Sequence, residues 1–186
     1  MTAFFLIRHG ACDGLGQMIW GRTAGIRLNA EGRAQAQRLA AELQDVQADA
    51  IYSSPLERAR ETAETIARAA DLEVQLSPAF NEIDFGEWTG KSLDKLAHDE
   101  RWHRFNNERS TTRIPDGELF FEVQDRAVAK LKRLSRQHSG GRVLIISHAD
   151  VIKSVIAYFD HLSVDRIHEI EVAPCSVTII SLDEQA

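Results

Sequence analysis

The sequence predicts an α/β fold built on a mostly parallel central sheet. Short apolar runs alternate along the chain with longer stretches whose apolar residues recur at helical spacing. A chain of 186 residues is long enough to bury a core around such a sheet, and this one contains no repeat or low-complexity tract. Strands that alternate with helices are typical of a parallel sheet covered by helices.

The first predicted strand is followed by a long loop and a helix. Residues 3–7 are uniformly apolar, as in a strand that is buried on both faces. Residues 10–28 are rich in glycine and have no period, and loops of this length are often functional. Asn29 is a suitable N-cap for a helix from about residue 30 to residue 44.

A second strand and a second helix are predicted next. The strand covers about residues 49–52, and Ser54 with Pro55 predicts an N-cap followed by proline at the first helical position. The helix that follows carries Arg58 near its start. Residues 73–76 are typical of a third strand.

The stretch from about residue 77 to residue 117 has no regular period. Because an unstructured stretch of that length is uncommon in a compact domain, we expect a cap-like insertion at 77–117 within a single domain of residues 1–186. The remaining pattern predicts a long amphipathic helix at 117–137, a buried strand at 143–146, a helix at 151–159 and a closing strand within 175–182.

Composition and charge limit the classes of partner. The net charge of −6 is unlike that of nucleic-acid-binding proteins, which present a basic surface to phosphates. Cys12 and Cys175 form no disulfide framework and no metal-ligand spacing, and no apolar run reaches membrane-spanning length. We therefore expect a cytoplasmic protein, a monomer or homodimer, that acts on a small molecule and binds neither nucleic acid nor membrane. Asp183 and Glu184 are expected to form a solvated tail.

Two predicted strands end in histidine. Residues 4–7 lead into Arg8 and His9, and residues 143–146 lead into Ser147 and His148. Because the carboxyl ends of parallel strands meet at one edge of a sheet, we expect the two imidazoles to lie close together.

Paired histidines next to arginines fit chemistry on a phosphoryl group. A neutral imidazole such as that of His9 can attack phosphorus, and the guanidiniums of Arg8 and Arg58 can bind the phosphoryl oxygens. A carboxylic acid is also needed to protonate the leaving oxygen, and Glu82 and Asp84 are alternative candidates.

Other chemistries fit less well. A metal-dependent hydrolase could use His9, Glu82, His148 and Asp150, although no closely spaced histidine pair supports such a site. Cys12 does not fit a cysteine phosphatase loop, because the arginine expected six residues later is Met18. A domain that only binds a ligand would leave the paired histidines unexplained.

Five motifs are similar, in residues and in order, to those of a known family. They are LIRHG (6–10), LNAEGRAQA (28–36), YSSPLERARETA (52–63), NEIDFGEWTG (81–90) and ISHADVIKSVIA (146–157). Together they cover nearly the whole chain, which resembles branch 1 of the histidine phosphatase (phosphoglycerate mutase-like) superfamily.

The resemblance implies a three-layer α/β/α sandwich and a phosphohistidine mechanism that needs no metal or cofactor. It implies that His9 is the nucleophile and that Glu82, rather than Asp84, protonates the leaving oxygen. The implied phosphate pocket consists of Arg8, Arg58 and His148. The resemblance implies that His148 is also a catalytic residue. The implied substrate is a small phosphorylated metabolite.

The chain also departs from the family pattern. Ala11 and Cys12 stand where many members have glutamate followed by a hydroxyl residue, so Thr23 is a candidate for the missing hydroxyl contact. Asp150 is expected either to cap the helix after His148 or to contact the site's residues. The candidates for contact with the rest of the substrate are Arg22, Thr23, Trp88 and Arg113.

A phosphomonoesterase is the favoured function. The basic residues of the expected cap do not follow a mutase pattern, and a mutase needs a closed pocket that retains the phosphoryl group. Phosphoglycerate mutase-type phosphoryl transfer is the alternative, and a metal-dependent hydrolase is a weaker one.

Overall fold

A five-stranded sheet forms the centre of the protein, in a computed structural model that describes residues 1–183. The strands are β1 (Thr2–Arg8), β2 (Ala50–Ser53), β3 (Val74–Leu76), β4 (Arg142–Ser147) and β5 (Val177–Leu182). Their order across the sheet is β3-β2-β4-β1-β5. Each neighbouring pair is parallel except β1 and β5, which are antiparallel, so the predicted mostly parallel sheet is confirmed.

Helices cover both faces of this sheet. They are α1 (Ala30–Glu42), α2 (Glu57–Ala70), α3 (Leu93–Leu96), α4 (Glu100–Asn107), α5 (Phe120–Gln137) and α6 (Ala149–Phe159). Alternate strand residues point to opposite faces: Ile7, Ile51 and Ile146 pack with α1 and α2, whereas Leu6 and Ile145 pack with α5 and α6. The result is the α/β/α sandwich that the resemblance implies.

The sheet order places the two histidines together. β1 and β4 are adjacent and parallel, with Arg8 in register with Ser147. The next residues, His9 and His148, therefore leave the sheet at the same edge, as the strand pattern predicts.

Residues 77–117 contain α3, α4 and single 3₁₀ turns at Pro78–Phe80 and Gly86–Trp88. Their largest apolar side chains do not form a separate cluster. Trp88 and Phe105 are fully buried and belong to the same core as Phe4 of β1. The segment expected to be a cap-like insertion thus packs directly onto the α5/α6 side of the sheet.

Three predicted helix starts are wrong. α2 begins at Glu57 with Leu56 at its N-cap, and the Ser54 hydroxyl accepts from the Leu56 N–H at 3.3 Å while it also contacts the site described below. α5 begins at Phe120 and not at residue 117. α6 begins at Ala149 with His148 at the N-cap.

The start of α6 also corrects the expectation that Asp150 is an N-cap, because this residue lies inside the first helical turn. At the other end of the chain, Glu184 of the expected solvated tail lies outside the described residues. Within residues 1–183, no helix combines the length and apolar character that crossing a membrane requires.

Candidate active site

His9, the predicted nucleophile, is 3% exposed at the end of β1. Its Nδ1 donates a hydrogen bond to the Gly10 carbonyl at 2.7 Å, which leaves the lone pair on Nε2. Burial, with the nearby charges of Arg58 and Arg8, lowers the pKa of His9 to about 3. The imidazole is therefore neutral at physiological pH, as a nitrogen nucleophile must be.

Two arginines flank this imidazole. Arg58, in the first turn of α2, donates from Nε to His9 Nε2 at 3.3 Å and from Nη2 to the Gly21 carbonyl at 2.8 Å. Arg8 donates from Nη1 to the Val172 carbonyl at 2.7 Å. Arg58 Nη1 and Arg8 Nε are buried and have no hydrogen-bond partner among the described residues. Buried cationic donors of this kind are the groups that an anionic ligand satisfies.

Close backbone packing fixes the loop that follows His9. The Gly10 N–H donates to Thr62 Oγ1 at 3.1 Å, and Thr62 Oγ1 donates to the Arg58 carbonyl at 2.8 Å. On the other side, Gly32 of α1 lies so close that a Cβ there would come within 2.0 Å of the Ala11 carbonyl oxygen. The loop is thus held between α1 and α2.

His148 is fully buried against His9, with ring centroids 5.1 Å apart. Its Nε2 lies 2.8 Å from Ser54 Oγ, and that hydroxyl donates to Asn81 Oδ1 at 3.3 Å. Because the hydroxyl hydrogen points to Asn81, Ser54 Oγ accepts a hydrogen bond from the Nε2–H of His148, and Nδ1 of His148 carries the lone pair. Burial and the charge of Arg58 hold the pKa of His148 well below its usual value.

Glu82 meets His148 from the opposite side. Its Oε2 is 3.6 Å from His148 Nδ1, and its Oε1 accepts from the Ile83 N–H at 2.9 Å. The pKa of Glu82 is raised to about 7, mainly by burial and next by the negative charge of Asp150. This carboxyl is therefore protonated up to about neutral pH, as a general acid must be.

These side chains stand at one end of a cavity of about 170 Å³. That end is lined by Arg8, His9, Arg58 and Glu82, with Cys12 and Asp150 beside them. The rest of the wall is mostly apolar: Leu15, Met18, Ile19, Trp20, Phe85 and Leu93. Burial raises the pKa of the Cys12 thiol, so that the thiol stays protonated and is a poor nucleophile.

The structure does not bring the four candidate substrate-binding residues into this wall. Trp88 is fully buried, with its ring centroid 5.2 Å from that of Trp102, so it cannot touch a ligand. Arg113 is exposed and paired with Glu122 at 2.6 Å. Thr23 donates its backbone N–H to Trp20 within the loop, and its side chain does not line the cavity.

Arg22, the fourth candidate, supports Glu82. Its Nε donates to the Glu82 carbonyl at 2.9 Å, and its Nη2 pairs with Glu118 at 2.9 Å. Arg126 of α5 contacts the same two groups, with Nη2 3.1 Å from the Glu82 carbonyl and Nε 3.1 Å from Glu118. The segment that carries the predicted acid is therefore held by two guanidiniums.

Several residues that organise the site are not among the candidates predicted from the sequence. Ser54 and Thr62 both lie in the YSSPLERARETA motif, so the motif itself was the available signal. Asn81 likewise opens the NEIDFGEWTG motif. Arg126 lies on the polar side of an amphipathic helix, and nothing in its local pattern separates it from a solvated arginine.

The four residues considered for a metal site, which are His9, Glu82, His148 and Asp150, are not arranged as metal ligands. Asp150 faces Arg109, with Oδ2 3.6 Å from Nη1, and the histidines contact arginine and glutamate side chains as described. Among residues 1–183, no group of three or more histidine, cysteine, aspartate or glutamate side chains is arranged to hold a metal ion.

An α/β/α sandwich with two strand-end histidines at an arginine-lined cavity defines a class of protein built to act on an anionic group. The family model of the histidine phosphatase superfamily (branch 1) matches residues 4–186. The chain therefore belongs to this superfamily, which confirms the resemblance found in the sequence.

Individual relatives agree with the family. An uncharacterized phosphatase, PhoE, of Bacillus subtilis is 33% identical over 157 residues, covering 84% of this chain and 76% of that protein. A probable phosphoglycerate mutase, GpmB, of Escherichia fergusonii is 27% identical over 186 residues, covering 99% and 86%. The solved structure of YhfR from Bacillus stearothermophilus superposes with a TM-score of 0.92 at 30% identity, covering 98% of this chain and 92% of that one.

Proposed function

We propose that this protein is a metal-independent phosphomonoesterase that hydrolyses a small phosphorylated metabolite through a phosphohistidine at His9. One observation carries the proposal. A neutral imidazole, unpartnered guanidinium donors and a carboxyl with a pKa of about 7 converge on one end of a single cavity. These are the nucleophile, the charge stabilisers and the acid that phosphoester cleavage needs.

In the first step, Nε2 of His9 attacks the phosphorus and the phosphorus–oxygen bond to the organic group breaks. Arg58 Nε, which occupies the Nε2 lone pair at 3.3 Å in the free protein, turns to a phosphoryl oxygen. Arg8 and the unpartnered Nη1 of Arg58 bind the other phosphoryl oxygens. Glu82 gives its proton to the leaving oxygen, so the products are an alcohol, a phosphohistidine and a glutamate anion.

In the second step, water attacks the phosphohistidine. The Glu82 carboxylate takes a proton from this water, the nitrogen–phosphorus bond breaks, and inorganic phosphate leaves. The cycle returns His9 as a neutral imidazole and Glu82 as an acid. His148 supports both steps, because its Nδ1 lies within 3.6 Å of Glu82 Oε2 and can take up a proton when a phosphate dianion enters.

Net hydrolysis is better supported than mutase activity. A mutase must return the phosphoryl group to a second hydroxyl of a bound, multiply charged substrate, which calls for further free cations. Here Arg22 and Arg113 are paired with carboxylates of the chain itself. The similarity to a probable phosphoglycerate mutase keeps phosphoryl transfer as the second candidate.

A panel of phosphomonoesters, including sugar phosphates, phosphoglycerates and nucleotides, tests the proposal through release of inorganic phosphate. We expect hydrolysis that resists metal chelators and is abolished by His9→Ala. His103→Ala, which alters an exposed histidine, is the matched control and retains wild-type activity. Loss of activity with chelators, or transfer between hydroxyls without net phosphate release, contradicts the proposal.

A further inference from the structure

Beyond the phosphate end, the cavity lining offers a substrate no positive charge. Among the described residues, the two arginines that line the cavity are Arg8 and Arg58, and both belong to the phosphate end. Most of the remaining lining is the apolar set described above, contributed by the loop after β1 and by residues 85 and 93.

Two arginines close to the residues of this lining are paired with carboxylates of the chain itself. Arg22 pairs with Glu118 at 2.9 Å and approaches Asp84 at 3.5 Å. Arg109, the other guanidinium near the cavity, pairs with Asp150 at 3.6 Å. Among the side chains that line the cavity, a second anionic group on a substrate would therefore find no cation besides Arg8 and Arg58.

Asp150 places a carboxylate in the cavity lining, whereas its partner Arg109 does not line the cavity. Asp150 lies in the first turn of α6, two residues after His148, and its side chain is 24% exposed. After burial, its charge is the next cause that raises the pKa of Glu82, so it acts electrostatically on the phosphate end.

The partner of Asp150 holds this carboxylate in place. The Arg109 side chain is 11% exposed and donates from Nη2 to Asn106 Oδ1 at 2.7 Å. Its guanidinium also lies over the rings of Phe105 and Phe120, at 4.6 and 5.4 Å from their centroids. A guanidinium packed in this way has little freedom to move towards a ligand.

We propose that Asp150 is a specificity-determining residue that rejects phosphomonoesters carrying a second anionic group and favours those whose organic part is neutral or cationic. Its carboxylate accepts a hydrogen bond from a hydroxyl or ammonium group of the substrate and repels a carboxylate or second phosphate. Carbon atoms of the organic part contact the apolar wall. This inference rests on the proposed function, because it assumes that the ester phosphate occupies the arginine-lined end.

A matched pair of esters tests the inference. Glycerol 3-phosphate and 3-phosphoglycerate differ at the far end, where one has a hydroxymethyl group and the other a carboxylate. We expect wild-type kcat/KM to be about tenfold or more higher for glycerol 3-phosphate, because like charges at short range in a partly buried site repel strongly.

Asp150→Asn removes the negative charge, keeps the side-chain shape and frees the Arg109 guanidinium. We expect this variant to reduce the preference about tenfold or more, mainly through faster turnover of 3-phosphoglycerate. Asp150→Glu keeps the charge and the preference, and Asp94→Asn, at an exposed position on α3, leaves both substrates unaffected.

Binding separates this inference from the proposed function. In the His9→Ala background, calorimetry measures the affinity of both esters with and without Asp150→Asn. A failure of the proposed function shows as absence of phosphate release from every ester by the wild-type protein, while the ratio of the two affinities still reports on Asp150. An affinity or kcat/KM ratio that Asp150→Asn leaves unchanged overturns the inference, as does a wild-type preference for 3-phosphoglycerate.

Discussion

His9 is buried and the Glu82 side chain is 15% exposed, and loss of contact with water moves their pKa values in opposite directions. Removal from water disfavours the charged form of each group, so the pKa of the imidazole falls to about 3 and that of the carboxyl rises to about 7. One physical effect thus prepares both the neutral base that attacks and the neutral acid that donates a proton. The pH range in which both forms coexist lies between these two values.

The pH dependence of kcat/KM tests this pairing. Glu82 must be protonated in the first step, and its raised pKa keeps it so below about pH 7. We expect kcat/KM to fall above that pH because the carboxyl ionises. Glu82→Gln lowers kcat by roughly 10²–10⁴-fold, the usual range for loss of a general acid. Its residual rate no longer falls above pH 7.

Glu87→Gln is the control for this measurement, because Glu87 is half-exposed and pairs with Arg101 away from the cavity. It is expected to keep the wild-type profile. An alkaline decline that persists unchanged in Glu82→Gln would assign the ionisation to another group.

At the scale of elements, the strand ends and the start of α1 at the Asn29 N-cap could be predicted, whereas the starts of α2, α5 and α6 could not. Strands such as β1 and β4 are buried on both faces, so their uniform apolar runs mark them in the sequence, and the histidines that follow fall at one edge. Ser54 looks like an N-cap because serine before proline usually is one. Its hydroxyl does accept from the Leu56 N–H at 3.3 Å, but it also contacts His148 and Asn81, tertiary contacts that no local pattern reveals.

The role of Trp88 also depends on tertiary contacts that the sequence does not reveal. A tryptophan in an irregular stretch fits either a ligand-binding surface or a core, and only the packing of Trp102 and Phe105 around it decides for the core. Arg22 likewise fits either a substrate anion or an internal carboxylate until Glu118, distant in sequence, is placed beside it.

The contact between α1 and the loop after His9 gives a prediction at this scale. A methyl group at Gly32 would overlap the Ala11 carbonyl oxygen, so Gly32→Ala must displace the loop or the helix start. We expect a loss of about 1–3 kcal/mol in the free energy of unfolding, as for other overpacked sites, with a larger fall in kcat than in substrate affinity. Urea unfolding and steady-state kinetics measure the two effects.

Gln37→Ala serves as the control, because residue 37 is exposed on the same helix and its replacement by alanine adds no atoms. A Gly32→Ala variant with wild-type stability and kcat would show that the loop can move away without cost.

At the scale of the whole molecule, the site reduces the stability of the fold. The carboxyl of Glu82 has a higher pKa in the folded protein, about 7, than the 4.5 of an ordinary glutamate. The contribution of the protonated Glu82 carboxyl to the free energy of unfolding is fully present below pH 4.5 and is lost as the pH rises through 7. Above that pH, the folded protein holds an unfavourable buried charge that the unfolded chain does not.

Glu82→Gln removes this penalty. We expect the variant to match the wild type in free energy of unfolding at pH 4 and to exceed it by up to about 3 kcal/mol at pH 8, from 1.36 kcal/mol for each unit of pKa shift. Urea titrations of both proteins at the two pH values measure the difference. An equal difference at pH 4 and pH 8 would mean that ionisation of Glu82 does not oppose folding.

The central claim is that His9 carries the phosphoryl group during turnover. Its most direct test is to quench the protein in denaturant during turnover of a phosphate-labelled substrate and to locate the label by peptide mapping. The account predicts label on His9 that is released by acid and stable in base, and no label on His9→Ala. Label that survives acid, or that persists in His9→Ala, would contradict it.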